Sequence, residues 1–264
     1  MQTKQKTESG YVSINGIKMY YEIHGESSLM PLVLIHGGGS TIPSNWGTVL
    51  PLFANEYKVI AMELQAHGRT SDRETEESFK QDAADVIALL QQLKVSKANF
   101  AGFSNGGSTT LEILINYPHI VNKAVVISCS YKRDGMITGF FDGLQQATFN
   151  DMPEVLNKAF LDVNPDKKGL LNMFNKDRAR MLAFPDRSDA DMQSIKAPVL
   201  VMAGDQDVVT IEHTVQMHKA IPGSRLAVLP GNHGSFIGEA MAADPGSNIP
   251  EMTVGIIKEF LNRT

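Results

Sequence analysis

The chain has 264 residues, of which 42% are hydrophobic and 20% charged, which excludes a disordered protein and fits an α/β domain with an insertion. The net charge of −5 is unfavourable for binding nucleic acid, because that binding depends on a basic surface. A single cysteine excludes a disulfide within the chain and favours a reducing compartment.

Two features of the sequence bear on its location. The first ten residues, MQTKQKTESG, are polar and contain no apolar h-region of a secretory signal, although a chain that has lost its signal peptide would look the same. No apolar run approaches the roughly 20 residues that a membrane-spanning helix needs. We therefore expect a cytoplasmic protein that does not bind membranes.

Strand and helix patterns alternate along most of the chain. Asn15-Gly16 lies between two alternating runs in YVSINGIKMYYEIHG, which predicts a β-hairpin. Largely apolar strands that alternate with helices are typical of a parallel sheet covered on both faces. Strands are predicted at 31–37, 57–64, 98–103, 122–130, 197–205 and 224–231, and helices at 46–55, 74–93, 108–118, 210–222 and 251–261.

Residues 131–192 interrupt this alternation. Their aromatic and methionine residues recur at helical rather than strand spacing, so we predict a helical cap inserted after the sixth strand. The α/β core would then consist of residues 1–130 and 193–264. The residues that carry the pattern are Met136, Phe140, Phe141, Phe149, Met152, Phe160, Met173, Phe174, Met181 and Phe184.

The stretch GFSNGG connects a predicted strand to a predicted helix. No lysine follows Gly106 or Gly107, and the Gly-x-Gly-x-x-Gly spacing is absent, so a phosphate-binding loop is not indicated. Gly102-x-Ser104-x-Gly106 instead has the pattern of a nucleophile elbow. Such a turn would expose the Ser104 hydroxyl at a helix N-terminus, whose dipole favours negative charge.

A reactive serine needs a general base and a carboxylate that orients the base. The chain order expected for this elbow is Ser, then Asp or Glu, then His. VLVMAGDQD offers Asp205 and Asp207 at the end of one predicted strand, and LAVLPGNHG offers His233 at the end of another. Four further histidines are expected at the surface or at helix ends: His24, His119, His213 and His218.

Acyl transfer also requires donors for a developing oxyanion. The glycines of IHGGGS follow the first long strand, where a backbone N–H can approach a ligand closely. We predict the N–H groups of Gly38 and Asn105 as the two donors, with Gly39 as the alternative to Gly38.

The motifs HGGG, GFSNG, GDQD and GNHG, in this order, resemble those of the α/β-hydrolase superfamily from about Tyr11 onwards. The resemblance implies a mostly parallel eight-stranded sheet with helices on both faces, an N-terminal antiparallel hairpin and a helical cap. It also implies Asp207, the second acidic position after the strand, as the triad acid in preference to Asp205. ELQAHGRTSD is similar to the family's Asp-x-x-Gly-x-Gly-x-Ser loop, but Glu63 and Ala66 replace Asp and Gly.

A serine at the elbow argues against the relatives that open epoxides or displace halide, because those use Asp. We expect a serine hydrolase that cleaves a small or medium apolar carboxylic ester through an acyl-enzyme, without a cofactor or metal. The alternatives are a C–C bond hydrolase or enol-lactonase of a degradation pathway, and a non-catalytic ligand-binding homologue. The partner would be a small acyl substrate, and the oligomeric state is left open, with a homodimer among the options.

Overall fold

The computed structural model describes residues 7–263, and the strands within that range form one eight-stranded sheet. They are β1 (Thr7–Ile14), β2 (Ile17–His24), β3 (Leu32–Ile35), β4 (Val59–Met62), β5 (Ala98–Phe103), β6 (Val121–Ile127), β7 (Val199–Gln206) and β8 (Arg225–Asn232). Their order across the sheet is β1-β2-β4-β3-β5-β6-β7-β8. Only the β1/β2 and β2/β4 pairs are antiparallel, which confirms the predicted sheet.

Helices cover both faces of this sheet, as predicted. The α-helices of the described chain are α1 (Ile42–Trp46), α2 (Leu50–Ala54), α3 (Phe79–Gln92), α4 (Asn105–Asn116), α5 (Phe140–Gln146), α6 (Glu154–Val163), α7 (Lys167–Leu182), α8 (Asp189–Ser194), α9 (Ile211–Ala220) and α10 (Ile249–Asn262). One apolar core lies between the sheet and α3, α4, α8 and α9. A second lies between the sheet and α1, α2 and α10.

The turn between β1 and β2 forms where the sequence predicted it. Asn15 and Gly16 have φ angles of 43° and 83°, and both central residues of a tight hairpin turn of this kind need positive φ. The Asn15 side chain also donates a 2.9 Å hydrogen bond to Asp85 of α3, which ties the hairpin to the helix.

Helix α3 begins later than predicted. The Ser78 hydroxyl accepts a hydrogen bond from the Gln81 N–H at 3.1 Å and caps the helix, so residues 74–77 lie before it rather than in its first turn. Glu77, left outside the helix, is buried instead. The predicted helix at 46–55 is shorter in the structure, where only α2 lies within it and α1 ends at Trp46. Pro51 lies in the first turn of α2, where no N–H is required.

The segment 131–192 contains α5, α6, α7 and the start of α8, which agrees with its helical spacing. It has an apolar cluster of its own between α6 and α7, formed by Met152, Leu156, Phe160, Leu170 and Met173. Within residues 7–263, no helix combines the length and the apolar character needed to cross a bilayer.

Candidate active site

The turn between β5 and α4 places Ser104 in a strained conformation. Its φ is 54° and ψ is −118°, which is costly for a residue with a side chain. A Cβ on Gly102 would lie 2.2 Å from the Gly106 carbonyl oxygen, and one on Gly106 would lie 2.2 Å from the Ile35 oxygen. Because neither glycine has a side chain, β5 and α4 can approach each other and β3 this closely, as the sequence pattern predicted.

Three of the predicted residues form one hydrogen-bonded chain. His233, at the end of β8, places Nε2 3.1 Å from Ser104 Oγ and Nδ1 2.7 Å from Asp207 Oδ1. Asp205 does not take part, because its carboxylate accepts the Gly231 N–H at 2.8 Å and is exposed to solvent. Of the two acidic positions at the end of β7, the geometry thus brings Asp207 to His233.

The Asp207 carboxylate is held by several donors. The Ser128 hydroxyl and the Gly204 N–H donate to Oδ2, and the Val209 N–H donates to Oδ1. Burial raises the pKa of Asp207, but its hydrogen bond with His233, the charge of His233 and the other donors outweigh burial and bring it below the ordinary value. The carboxylate is therefore ionised at neutral pH, as required to orient an imidazole.

The backbone N–H groups of Gly38 and Asn105 have no acceptor among residues 7–263. Both residues line the same cavity as Ser104. The Gly39 N–H, the alternative donor, is already bonded to Asp177 Oδ2 at 2.6 Å. The geometry therefore leaves Gly38 rather than Gly39 free to meet a ligand.

A cavity of about 300 Å³ lies above Ser104, between the sheet edge and the 131–192 segment. This volume is at the lower end of the range for small-molecule sites. Most of the wall that the segment contributes is apolar, so the cavity can bury a hydrocarbon group beside the hydroxyl. The apolar residues are Phe140, Leu144, Ala147, Met152, Pro153, Leu156, Phe174 and Met181.

A family model described as the alpha/beta hydrolase fold matches residues 30–172, which is more than half of the chain. The chain belongs to the α/β hydrolase fold family. The match covers the glycines, the elbow and much of the 131–192 segment, and the sheet order agrees with it.

Individual relatives of this α/β hydrolase are distant. Pyrrolizixenacetamide deacetylase of Xenorhabdus hominickii is 31% identical over 116 residues, covering 44% of this chain and 43% of the relative. 3-Oxoadipate enol-lactonase 2 of Acinetobacter baylyi is 27% identical over 247 residues, covering 86% and 90%. This chain spans between 43% and 59% of the length of three curated relatives that it matches.

One solved structure shows how far the likeness in fold extends. The 2-hydroxy-6-oxo-6-phenylhexa-2,4-dienoate hydrolase from Rhodococcus sp. strain RHA1 superposes with a TM-score of 0.78. The alignment covers 98% of this chain and 100% of the other at 17% identity. At that identity the similarity supports the fold alone.

Residues 37–40 of this α/β hydrolase, here called the glycine loop, are anchored by a buried histidine. His36 Nδ1 lies 2.7 Å from the Gly37 carbonyl oxygen, and His36 Nε2 accepts the Leu64 N–H at 2.9 Å. Burial and the nearby charge of His67 lower the pKa of His36 to about 3. A neutral ring with its proton on Nδ1 therefore joins the glycine loop to residues 63–72.

The two departures from the family's loop sequence affect backbone conformation. Glu63 is buried and accepts hydrogen bonds from the Arg69 N–H at 2.7 Å and from the Arg69 guanidinium at 2.6 Å. Ala66 has a φ of 62°, a value that glycine adopts at lower cost. Both residues thus shape the turn that presents His67.

Sequence reasoning missed two residues beside the predicted donors, His67 and Asp177. Asp177 of α7 accepts hydrogen bonds from the Gly39 N–H and from His67 Nε2, the latter at 2.9 Å, and also meets the Asn105 side-chain amide at 3.3 Å. The available signals were the histidine of AHGRTSD and the Asp177–Arg180 spacing of three residues in NKDRAR, which predicts a pair on one helix face.

Of the two places expected for His213, the structure shows the helix end and not the surface, since His213 lies in the first turn of α9. Its side chain is buried and stacks on Tyr131, and Nε2 lies 2.9 Å from the Ser130 hydroxyl. Burial lowers the pKa of His213. The place of His213 on its helix did not indicate that the side chain is buried, because the residues that cover it come from a stretch about 80 positions earlier in the chain.

Proposed function

We propose that this α/β hydrolase is a serine hydrolase that cleaves a small or medium apolar carboxylic ester. The observation that carries the proposal is the chain from Ser104 through His233 to Asp207, with separations of 3.1 and 2.7 Å. A nucleophile, a base and an orienting carboxylate in mutual contact are what acyl transfer by a serine requires.

In this mechanism Ser104 Oγ attacks the ester carbonyl carbon while His233 Nε2 takes the hydroxyl proton. Asp207 accepts the hydrogen bond from Nδ1–H of His233 and stabilises the imidazolium. The N–H groups of Gly38 and Asn105 bind the oxyanion of the tetrahedral intermediate. Collapse breaks the bond to the leaving alkoxide, which receives the proton from His233, and leaves an acyl-enzyme.

Hydrolysis of the acyl-enzyme repeats these steps with water as the nucleophile. His233 removes a proton from water, the hydroxyl oxygen adds to the acyl carbon, and the second tetrahedral intermediate expels Ser104. The proton on His233 then returns to the serine oxygen, so the enzyme is regenerated and a carboxylic acid leaves.

The cavity supports the choice of substrate. We propose that the 131–192 segment acts as a helical cap whose phenylalanine, leucine and methionine side chains enclose the acyl group. A volume of about 300 Å³ favours short and medium acyl chains over long ones. Methionine side chains such as Met152 and Met181 can adapt to ligands of irregular shape.

The second candidate is an enol-lactonase or a C–C bond hydrolase. Its support is the 27% identity to the 3-oxoadipate enol-lactonase over 86% of this chain. The same nucleophile, base and oxyanion donors would serve either reaction. Substrate preference is therefore what separates the two candidates.

One set of measurements tests both the class of enzyme and the substrate. A fluorophosphonate probe is expected to label Ser104, and p-nitrophenyl esters of increasing chain length, an enol-lactone and a vinylogous diketone are compared for kcat/KM. Replacement Ser104→Ala is expected to lower kcat by about 10⁶-fold, the scale seen when a triad nucleophile is lost. Ser108→Ala, at a buried serine of α4, is the matched control and should leave kcat near wild type.

Each outcome has a defined meaning. Full activity of the Ser104→Ala variant would contradict the assigned nucleophile. An unlabelled serine together with no turnover of any substrate would favour a non-catalytic ligand-binding protein. Faster turnover of the lactone or the diketone than of every simple ester would select the second candidate.

A further inference from the structure

We propose that Asp177 of α7 is a positioning residue that fixes the glycine loop so that the Gly38 N–H faces the reacting carbonyl. The proposal rests on the proposed function, because an oxyanion develops only if acyl transfer takes place. The role would belong to a side chain from the 131–192 segment, outside the predicted triad and donors.

The glycine loop needs anchors from outside itself. Three successive glycines have no side chains to restrict their backbone, so the loop loses much conformational entropy when it is ordered. Gly37 is held because its N–H donates to Asn45 Oδ1 at 2.6 Å. Gly39 is held because its N–H donates to Asp177 Oδ2, also at 2.6 Å. Gly38 lies between these two anchors with its own N–H unpaired among residues 7–263.

The Gly39 N–H needs an acceptor, and Asp177 Oδ2 provides it, because the other side-chain atom nearby, His67 Nε2, is itself a donor. His67 Nε2 lies 3.3 Å from the Gly39 nitrogen, but Asp177 keeps that ring protonated. Burial lowers the pKa of His67, whereas the charge of Asp177 and its hydrogen bond raise it more, to about 9. The protonated ring donates from Nδ1 to the Gln65 oxygen and from Nε2 to Asp177, and it has no lone pair for Gly39.

The carboxylate of Asp177 is not available to recognise a substrate. Oδ2 accepts from Gly39 and His67, and Oδ1 accepts from the Asn105 side chain and from Arg180. Two donors on each oxygen leave little capacity for a further ligand. Asp177 therefore acts on the reaction through the backbone that it holds.

Arg180 fixes the position of Asp177. Its guanidinium is buried and pairs with Asp177 on the same helix and with Asp82 on α3, and Glu77 lies 3.5 Å away. A buried charge pair of this kind is costly to break, because each partner would be left without compensation. The ion pairs thus hold α7 against α3 and keep the carboxylate beside the glycine loop.

The expected effect is on the transition state. Loss of an oxyanion donor costs about 10²–10³-fold in kcat, and a donor displaced by about 1 Å costs up to about 10²-fold. Ground-state binding depends mainly on the apolar side chains of the cavity. Asp177 also lines this cavity, but its carboxylate oxygens are already occupied by donors. Loss of the Asp177 contact should therefore lower kcat and leave KM nearly unchanged.

The test compares Asp177→Ala with Asp177→Asn, using a p-nitrophenyl ester that the wild type turns over. The alanine variant is expected to lose about 10–100-fold in kcat, with KM within about 3-fold of wild type. Asparagine keeps an amide oxygen for the Gly39 N–H, so kcat should recover to within about 5-fold of wild type. Asp142→Asn removes an exposed carboxylate from α5 in the same segment and is the matched control.

A second measurement follows the contact without using activity. The ¹H and ¹⁵N chemical shifts of the Gly39 amide should move in Asp177→Ala and stay unchanged in Asp142→Asn. If the alanine variant does not fold, Asp177→Ser replaces it, because a serine side chain is too short to reach Gly39.

Three results would overturn the inference: wild-type kcat in the alanine variant, an asparagine variant as slow as alanine, or an unmoved Gly39 amide shift. The second would mean that the charge of the ion pair matters rather than the acceptor. Failure of the proposed function is distinguishable, because it would appear in the wild type as absent labelling of Ser104 and absent turnover.

Discussion

Replacement Asp207→Asn should almost abolish turnover while leaving the fold intact. Asn has the same shape, and its amide oxygen can still accept from Ser128 and Gly204, which donate to Oδ2 in the wild type. Its NH₂ group would then face His233 Nδ1, where Oδ1 lies 2.7 Å away now. The imidazole would carry its proton on Nε2 and could no longer accept the proton of Ser104.

The magnitude follows from that change of tautomer. A triad Asp→Asn substitution of this kind lowers kcat by about 10⁴-fold, which corresponds to about 5.5 kcal/mol of transition-state free energy. Asp205→Asn is the matched control, since Asp205 lies two positions away and binds the Gly231 N–H rather than His233. It should retain kcat within about 3-fold, because a substitution away from the reacting groups has small effects.

The assay is initial-rate kinetics at pH 7 on a p-nitrophenyl ester, with thermal melting to verify the fold of each variant. Equal kcat values for the Asp207→Asn and Asp205→Asn variants would refute the argument from the tautomer. A larger loss in the Asp205→Asn variant would mean that the acid had been assigned to the wrong carboxylate.

Two further predictions concern stability. Phe160→Ala removes the most buried aromatic ring of the α6–α7 cluster and should lower the free energy of unfolding, measured in urea, by about 3–5 kcal/mol. Leu171→Ala, at an exposed site on α7, should lower it by less than about 1 kcal/mol. Equal losses in the two variants would contradict a packed cluster. Burial raises the pKa of Glu77 to about 8. Burial lowers the pKa of His67, but the charge of Asp177 and its hydrogen bond together outweigh burial and raise that pKa to about 9. Both groups keep in the folded state a proton that the unfolded chain releases at lower pH, so the free energy of unfolding should fall from pH 7 to 9, by at most about 1.4 kcal/mol per pH unit for each group. Glu77→Gln should make this fall less steep between pH 7 and 8, and an unchanged slope in denaturation at pH 7, 8 and 9 would disprove the role of Glu77.

The backbone of the site could be predicted because its rules act over a few residues. Asn15-Gly16 specifies a turn by the φ angles that it tolerates, and an apolar run of strand length bounded by glycine specifies a buried strand. Gly102 and Gly106 are spaced for a tight turn around Ser104, whatever the rest of the chain does. Helix α3 shows the limit of such rules, since the Ser78 cap overrode an acidic stretch that had the composition of a first turn.

The choice among chemically equivalent residues depended on the tertiary structure. Asp205 lies near the end of β7 and Asp207 directly follows the strand, and only the direction of each side chain at the sheet edge decides which one meets His233. His67 and Asp177 are 110 positions apart, so no local spacing relates them.

The sequence by itself thus determined the order of strands and helices, the elbow and a short set of candidate groups. The packing of α7 over the sheet decided which N–H groups are free and which are already bonded. The physical reason is that backbone conformation is set by neighbours in the chain, whereas a side-chain contact depends on the path of every element between the two partners.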